Sequence, residues 1–289
     1  MISPLQQCQS VVEGVVPLLF PSICGLCGEL CESGSDVFCR SCNAALNQTT
    51  AQFRDACRGC GIPWHGMRPR DPIGIQAPCP ACRRAESNSG SPSSYAGVIA
   101  WARYDNAVKD AIVAAKYPRN AAITRELGRR LSERCEEVAE TMISASVNEP
   151  ALGLPTRPWD MVTSVPSRPW RRIRRGGSGA RVLGEAVAAQ LGLPHWPWLR
   201  AVRRTHKQAW LDDSERIGNV AGAFAPSTPF RWRWMESRPA GRWSGRRVLL
   251  VDDVMTTGAT AAEISRVLLN AGAASIWVAV VARAVPTSS

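Results

Sequence analysis

The chain has 289 residues, 45% of them hydrophobic, and a formal net charge of +11. These values indicate a globular protein with a sizeable core, built as one large domain or as a domain with a smaller module. No segment approaches the roughly 20 apolar residues that cross a bilayer, so we expect no membrane span. Arginine supplies almost all of the 35 basic residues, which suits nucleic acids or phosphorylated small molecules as partners. A bias towards arginine codons explains the same excess.

The start of the chain contains an apolar stretch that no basic region precedes and that Glu13 interrupts. A secretory signal peptide begins with basic residues, so this segment is interpreted as a short amphipathic helix leading into the next module. We therefore expect a cytoplasmic protein.

Cysteines are concentrated near the start, where ten of the eleven precede residue 83. Eight of them form four C-x-x-C pairs, a spacing that directs two thiolates at one metal ion. The pairs are Cys24/Cys27, Cys39/Cys42, Cys57/Cys60 and Cys79/Cys82. Two pairs complete a tetrahedral zinc site, so the sequence predicts two structural zinc ions in a double zinc ribbon. Pairing in sequence order is the simpler arrangement, and a crossed arrangement is the alternative.

Other uses of these cysteines fit less well. Disulfides require an oxidising compartment, and no export signal is visible. A redox-active C-x-x-C is a single pair near a βαβ pattern. His65 could replace a thiolate, but eight cysteines already fill two sites. Of the unpaired cysteines Cys8, Cys31 and Cys135, the last lies on an apolar helical stripe and is expected in the core.

Composition divides the chain into a cysteine-rich module at 1–85, a Gly- and Ser-rich linker at 86–94 and an α/β domain at 95–289. In the last domain we predict strands at 95–104, 159–166, 246–253 and 274–283. Helices are predicted at 105–117, with Asp105 as N-cap, and at 121–142, 180–192 and 259–272. The Trp- and Arg-rich segment 226–245 receives no assignment.

The apolar runs Val248–Val251 and Ile276–Val281 lack polar alternation. Such strands are covered on both faces, as in a parallel sheet with helices on either side. Ligands of these sheets bind at the carboxyl ends of the strands. Asp252, Asp253 and the Thr-rich turn behind them are therefore expected at a binding site.

The turn from Met255 to Thr260 joins a strand to a helix start, where backbone amides have no intrahelical partner and the helix dipole is positive. Gly258 allows close approach of the backbone, so the turn suits a phosphate. Asp252 and Asp253 would repel that phosphate and are expected to accept hydrogen bonds from a sugar diol instead. A phosphate beside a diol describes a ribose 5-phosphate.

Two other interpretations of this segment are open to the sequence. A capped helix behind two solvated acids is the plain structural alternative. A phospho-receiver domain also ends its first strand in paired acids, but it needs roughly a hundred residues after them. Because 36 residues follow Asp253, we exclude it.

The string "VLLVDDVMTTGAT" (248–260) resembles the phosphoribosyl-pyrophosphate (PRPP) signature of type I phosphoribosyltransferases. Three further segments resemble the ComF family of competence proteins: "DAIVAAKYPRN", which includes Lys116, "TSVPSRPWRRIRRG" and the segment from Arg203 to Phe224. The resemblance covers roughly 15–285 and includes the cysteine-paired start. It implies a type I phosphoribosyltransferase-like parallel sheet flanked by helices, with the zinc ribbons ahead of it.

The resemblance also implies roles for individual residues. Asp252 and Asp253 would bind the ribose hydroxyls and stabilise positive charge at the reacting carbon. The 5-phosphate would be held by Met255, Thr256, Thr257, Gly258, Ala259 and Thr260. The pyrophosphate would be held by Val165, Pro166, Ser167 and Arg168, with Mg²⁺ bridging pyrophosphate and ribose oxygens. A flap over the substrate would include Thr205, Gln208 and Arg216.

The chain departs from the family after Arg175-Gly176, where Phe-Asn-Gln or a near variant is usual and Gly177-Ser178-Gly179 stands here. An aromatic residue and two polar contacts are replaced by a flexible stretch.

Two functions follow from these patterns. The first is a PRPP-binding phosphoribosyltransferase-like protein that needs Mg²⁺ and transfers to an unknown acceptor. For this protein the family resemblance implies a link to competence, DNA uptake or related DNA processing, with a competence ATPase or helicase as partner. The second is a non-catalytic adaptor that senses PRPP or nucleotides and binds single-stranded DNA. The arginine run 168–175 around Trp170 favours the second, since charge and stacking suit single strands. Contact with pyrophosphate or solvent explains the same arginines.

Overall fold

A parallel sheet of four strands lies at the centre of the chain. The structure is a computed structural model and describes residues 22–33, 36–63, 79–89, 94–147, 157–166, 179–203, 220–227 and 242–285, with the backbone alone at 85–89 and 145–147. The sheet contains β1 (Gly97–Arg103), β2 (Met161–Ser164), β5 (Arg247–Met255) and β6 (Ser275–Arg283), in the order β1-β6-β5-β2. A separate antiparallel pair is formed by β3 (Leu199–Ala201) and β4 (Phe224–Pro226).

Six α-helices are described around these strands. They are α1 (Arg40–Asn47), α2 (Pro80–Ser89), α3 (Asn106–Ala115), α4 (Ala121–Val147), α5 (Gly179–Leu191) and α6 (Ala259–Asn270). The predicted fold class is confirmed, because the sheet is parallel and helices flank it. Asp105 occupies the N-cap position of α3, as predicted, but its side chain makes no capping hydrogen bond.

The middle of β5 is apolar on both sides, as expected for a strand whose sheet is covered by helices on both faces. Val248 and Leu250 point to one face and pack with α6, whereas Leu249 and Val251 point to the other and pack with α3, α4 and α5. All four side chains are fully buried. This is the pattern expected of strands whose neighbours lie both above and below them.

The cysteine-rich segment shares the hydrophobic cores of the sheet. Phe38 and Leu46 pack into the core on the α4 face, and Phe53 packs into the core on the α6 face. The guanidinium group of Arg130, on α4, donates to the side chains of Asn43 and Asn47. The two predicted modules are therefore joined by apolar packing and hydrogen bonds.

Two features differ from the sequence-based prediction of elements. Helix α2 runs to Ser89, so the first four residues of the predicted linker are helical. Strands β3 and β4 were not predicted, since each has three residues and too short a pattern to detect. The predicted N-terminal helix and most of the Trp-rich segment 226–245 lie outside the described residues, although Trp243 is described and fully buried.

Candidate phosphate and metal sites

Two clusters of four cysteines are formed by pairs that are consecutive in sequence. The first contains Cys24, Cys27, Cys39 and Cys42, and the second contains Cys57, Cys60, Cys79 and Cys82. Within each cluster all sulfur atoms lie within 4.8 Å of one another. The arrangement in sequence order is confirmed, and the crossed alternative is wrong.

The clusters fit tetrahedral zinc. Zinc with Zn–S bonds of about 2.3 Å holds its sulfurs about 3.8 Å apart. The Sγ atoms of Cys27 and Cys39 are 3.6 Å apart, and those of Cys57 and Cys82 are 3.9 Å apart. Hydrogen bonds from the Cys60 and Cys82 side chains hold the pKa of the Cys57 thiol well below its usual range, and the same contacts raise the pKa of the Cys60 and Cys82 thiols.

The two clusters are built in the same way. The first pair of each lies in a tight turn closed by a β-bridge, Ile23–Leu30 in one and Ala56–Pro63 in the other. The second pair of each lies at the start of a helix, α1 or α2, and not on a second turn between strands. The positive end of the helix dipole favours thiolates at that position.

Asp252 and Asp253 lie near the carboxyl end of β5, where the sequence places them. Both are half-buried. Burial, and then the neighbouring charge of Asp253, raise the pKa of Asp252 well above its usual value. Each carboxylate accepts a backbone N–H of the next residue, at 2.9 Å for Asp252 and 2.8 Å for Asp253.

The turn behind the acids leads directly into α6. Strand β5 extends to Met255, so this residue belongs to the strand and the turn proper begins at Thr256. Gly258 is the N-cap of α6 and has φ of +86°, a conformation that side chains disfavour. A Cβ atom there would lie 2.5 Å from Met255 Cε, so a side chain at this position would also require Met255 to move. The Thr257 hydroxyl accepts the Ala259 amide at 3.4 Å.

Lys116 approaches the acid pair from α3. Its Nζ lies 3.3 Å from Asp253 Oδ2, and both side chains are about one-third exposed. Gly179, the first residue of α5, lies beside the Lys116 backbone. A Cβ atom added to Gly179 would be 3.9 Å from Lys116 Cα. The family resemblance alone singled out Lys116, and its position at a helix end gave no hint of this contact.

The end of β2 lies beside the end of β5. Ser164, the last residue of β2, pairs with Val251 in the parallel ladder, so Val165 and Pro166 follow next to Asp252. The Ser164 hydroxyl is 2.8 Å from His195 Nε2, and Gly184 leaves room for this contact. Burial lowers the pKa of His195, which favours its neutral form. No motif or spacing in the sequence indicates this pair.

Of the predicted flap, Arg203 to Asn219, the structure describes only Arg203, together with β3 before the flap and β4 after it. The β3–β4 pair brings the two sides of the flap together, and β4 lies against α6. The amide of Gly222 donates to Glu263 Oε1 on α6 at 2.7 Å. Ser167, Arg168, Thr205, Gln208 and Arg216 lie outside the described residues, as does the arginine run after Arg168.

Comparison with protein families gives a match for the part of the chain that contains this turn. Residues 177–287 match the family described as the phosphoribosyl transferase domain. The match covers β5, the turn and α6, together with the flap segment.

Within the described helices, none is long and apolar enough to cross a membrane.

Curated proteins related to the chain are named for DNA utilization and competence. It is 27% identical over 265 residues to the DNA utilization protein YhgH of Escherichia coli K12, which covers 90% of this chain and 96% of that protein. It is 32% identical over 126 residues to competence protein F of Haemophilus influenzae, which covers 43% of this chain and 51% of that protein. The resemblance stated from the motifs is confirmed.

Among solved structures, the chain is 20% identical to a glutamine PRPP amidotransferase from B. subtilis, with a TM-score of 0.31. The match covers 55% of this chain and 26% of that chain. This TM-score is too low to support a fold assignment. The fold class is assigned from the observed sheet and helices. The chain thus contains a phosphoribosyltransferase-type domain behind two four-cysteine clusters and is similar to the DNA utilization protein YhgH over nine-tenths of its length.

Proposed function

We propose that the protein binds PRPP with Mg²⁺ and transfers the phosphoribosyl group to an acceptor. The observation that carries this proposal is the acid pair at the end of β5, followed by a glycine turn that opens α6, within the segment that matches the phosphoribosyl transferase domain.

Substrate placement follows from the order of the strands. Asp252 and Asp253 accept hydrogen bonds from the ribose 2- and 3-hydroxyls, and the amides and hydroxyls of the 256–260 turn hold the 5-phosphate. Strand β2 is the neighbour of β5 in the parallel sheet, and Val165 and Pro166 follow its end, so the segment that begins with these residues would hold the pyrophosphate. Sugar, phosphate and leaving group then lie along one edge of the sheet.

The reaction would be a displacement at the ribose anomeric carbon. The bond from this carbon to the pyrophosphate oxygen breaks with its electron pair, and the acceptor forms the new bond. The half-buried carboxylates of Asp252 and Asp253 stabilise positive charge on the sugar ring as the bond breaks. Bound Mg²⁺ would stabilise the charge of the departing pyrophosphate. The flap between β3 and β4 would exclude water from the reacting carbon.

The two four-cysteine clusters would hold zinc, as structural sites that stabilise the fold. Four thiolates close the coordination sphere, so neither cluster offers a position for substrate. Clusters of reduced cysteines suit a cytoplasmic protein, because thiols persist in a reducing compartment.

A turnover assay tests the enzymatic proposal. Purified protein is incubated with PRPP and Mg²⁺ against a panel of nucleobases and amines, and pyrophosphate release is measured. We expect release with at least one acceptor class, and loss of it in Asp252→Asn/Asp253→Asn. The matched control is Asp110→Asn, an exposed acid on α3 that should leave release unchanged. Absence of release with every acceptor would reject transferase activity while leaving PRPP binding to be measured separately.

The names of the relatives favour a second function. Proteins named for DNA utilization and competence suggest an adaptor that binds single-stranded DNA and uses PRPP as a signal, with an ATPase or helicase as partner. Such binding would be electrostatic and would weaken steeply with salt. A mobility-shift titration of labelled single strands at low and high salt checks it. No shift at low salt would remove this function.

A further inference from the structure

Arg283 connects the second cysteine cluster to the turn of the candidate phosphate site. This residue ends β6 and is 5% exposed. Its Nε donates to the backbone oxygen of Cys60 at 2.7 Å, and its Nη1 donates to those of Met255 at 3.0 Å and Thr256. One buried guanidinium thus joins a cysteine ligand to the residues where β5 gives way to the phosphate turn.

Neighbouring contacts fix this connection from both sides. On the cluster side, the amide of Val98 in β1 donates to the Arg58 oxygen at 2.7 Å, which holds the cysteine turn against the sheet. On the phosphate side, Tyr95 lies over the turn, since its hydroxyl would be 3.3 Å from a Cβ at Gly258. Burial raises the pKa of Tyr95 to about 12, so a neutral phenol packs there. The cysteine turn and the phosphate turn therefore share one buried contact region.

A guanidinium suits this position because it carries five donors in a fixed plane. The carbonyls come from two segments far apart in sequence. Shortening the side chain would remove the donor to the Cys60 and Thr256 oxygens, whereas the Met255 oxygen would still accept the Ala284 amide at 2.9 Å. A buried carbonyl without a partner is costly, so removal of the arginine is expected to let the segments separate.

We propose that Arg283 is a positioning residue that transmits the state of the Cys57–Cys82 cluster to the 255–258 turn. With metal bound, the Cys60 carbonyl is held and Arg283 orders the turn. With metal lost, the turn loosens and the 5-phosphate site weakens. This inference rests on the proposed function for its consequence in PRPP binding, but the ordering of the turn can be measured without any ligand.

Hydrogen exchange of backbone amides tests the proposal in the full-length protein. In Arg283→Met with both metal sites loaded, amides at 256–262 should exchange about tenfold faster or more, equal to about 1.4 kcal/mol. Amides at 248–251, inside β5, should keep their wild-type rates. Arg283→Lys should give an intermediate effect, because a single ammonium nitrogen cannot occupy the two positions from which Nε and Nη1 reach the Cys60 and Met255 oxygens. Unchanged exchange at 256–262, or an equal rise at 248–251, would overturn the proposal.

The two clusters provide a matched comparison. Cys79→Ser/Cys82→Ser removes metal from the second cluster, which touches Arg283, and should accelerate exchange at 256–262. Cys39→Ser/Cys42→Ser removes metal from the first cluster and should leave those amides unchanged. If both variants act alike on the turn, the connection through Arg283 is rejected. Metal content and a cooperative unfolding transition are measured for each variant to establish that it is folded.

Binding of PRPP separates this inference from the proposed function. If the wild-type protein binds PRPP, Arg283→Met should bind it about tenfold more weakly, whereas Arg181→Met, at an exposed ion pair on α5, should not change the affinity. If the wild type does not bind PRPP, the proposed function fails, and the exchange measurements still decide the role of Arg283.

Discussion

The two adjacent carboxylates at the end of β5 have different surroundings. Asp253 has Lys116 Nζ at 3.3 Å, whereas Asp252 is placed beside Asp253, and burial together with that charge raises its pKa. A raised pKa means that the charged form of Asp252 destabilises the free protein. Binding sites for polar ligands often retain a destabilising buried charge, because contacts with the bound ligand offset the loss of stability.

Asp252→Asn should therefore stabilise the ligand-free protein. The folded pKa lies above the unfolded value of about 3.9, so the gain is largest above the folded pKa and vanishes below about pH 4. At neutral pH we expect the free energy of unfolding to increase by about 1 kcal/mol, which corresponds to a rise in Tm of roughly 2–4 °C. Thermal unfolding at pH 7 and at pH 4 measures it, with Asp110→Asn as the exposed control. A lower Tm at pH 7 would contradict the account of Asp252.

Among individual residues, the sequence predicts those that belong to motifs only a few residues long. The acid pair, the glycine turn and the cysteine pairs each lie within a few residues, and the structure places each of them as a compact group. Contacts between distant segments leave no such pattern. Arg283 meets Cys60 across 223 positions, and Ser164 meets His195 across 31, so neither could be inferred from spacing.

The register of β2 against β5 is fixed at its start by an ion pair. Asp160, just before β2, accepts the Arg247 amide at 2.8 Å and the Arg247 guanidinium at 2.6 Å and 3.1 Å. Both side chains are about one-quarter exposed. This register sets the turn after β2 beside Asp252, so the pair contributes to the geometry of the site from the opposite end of the strands.

Asp160→Asn should destabilise the protein at neutral pH by about 1–2 kcal/mol. Hydrogen bonds from Arg247 lower the folded pKa of Asp160, so its stabilisation is present above the unfolded pKa of about 3.9 and is lost as the pH falls through the folded pKa. Urea unfolding at pH 7 and near pH 3 should show a difference that shrinks with acid. Glu185→Gln, in an exposed pair, is the control with little effect at either pH. A loss that does not depend on pH would contradict this role.

Elements were predicted where their apolar pattern is long. Four strands and four helices follow the expected order, with small shifts at their ends, because buried strands and amphipathic helices repeat a clear pattern: β1, β2, β5 and β6, and α3 to α6. Helices α1 and α2 were missed because cysteines, and not apolar periodicity, define their first turns. The short β3–β4 pair depends on contacts that its few residues do not encode.

Across the whole molecule, the cysteine-rich segment lies against the sheet and helices of the transferase-type domain. Leu46 and Phe53 are buried in the two cores of the sheet, and Arg134 on α4 donates to the Phe53 and Arg54 oxygens. Composition predicted a cysteine-rich module at 1–85, because sequence shows where cysteines are concentrated, and the structure adds which cores their neighbours join. A shared core couples metal binding to the stability of the sheet.

Metal removal should therefore destabilise the sheet along with the cysteine-rich segment. Metal analysis should give two zinc ions per chain, and a strong chelator should lower the Tm by roughly 10 °C, as a loss of about 3 kcal/mol would. Calorimetry before and after chelation measures it, and re-addition of zinc should restore the Tm. A sheet transition that stays at the same temperature without metal would contradict this coupling.

The central claim is that the end of β5 and the turn that follows it form a binding site for PRPP. Isothermal titration of PRPP into the zinc-loaded protein tests it most directly, with and without Mg²⁺ and in Asp252→Asn/Asp253→Asn. We expect saturable binding that requires Mg²⁺ and is lost in the double variant, while Asp110→Asn binds as the wild type does. No heat of binding at millimolar PRPP with Mg²⁺, or equal binding by the double variant, would contradict the claim.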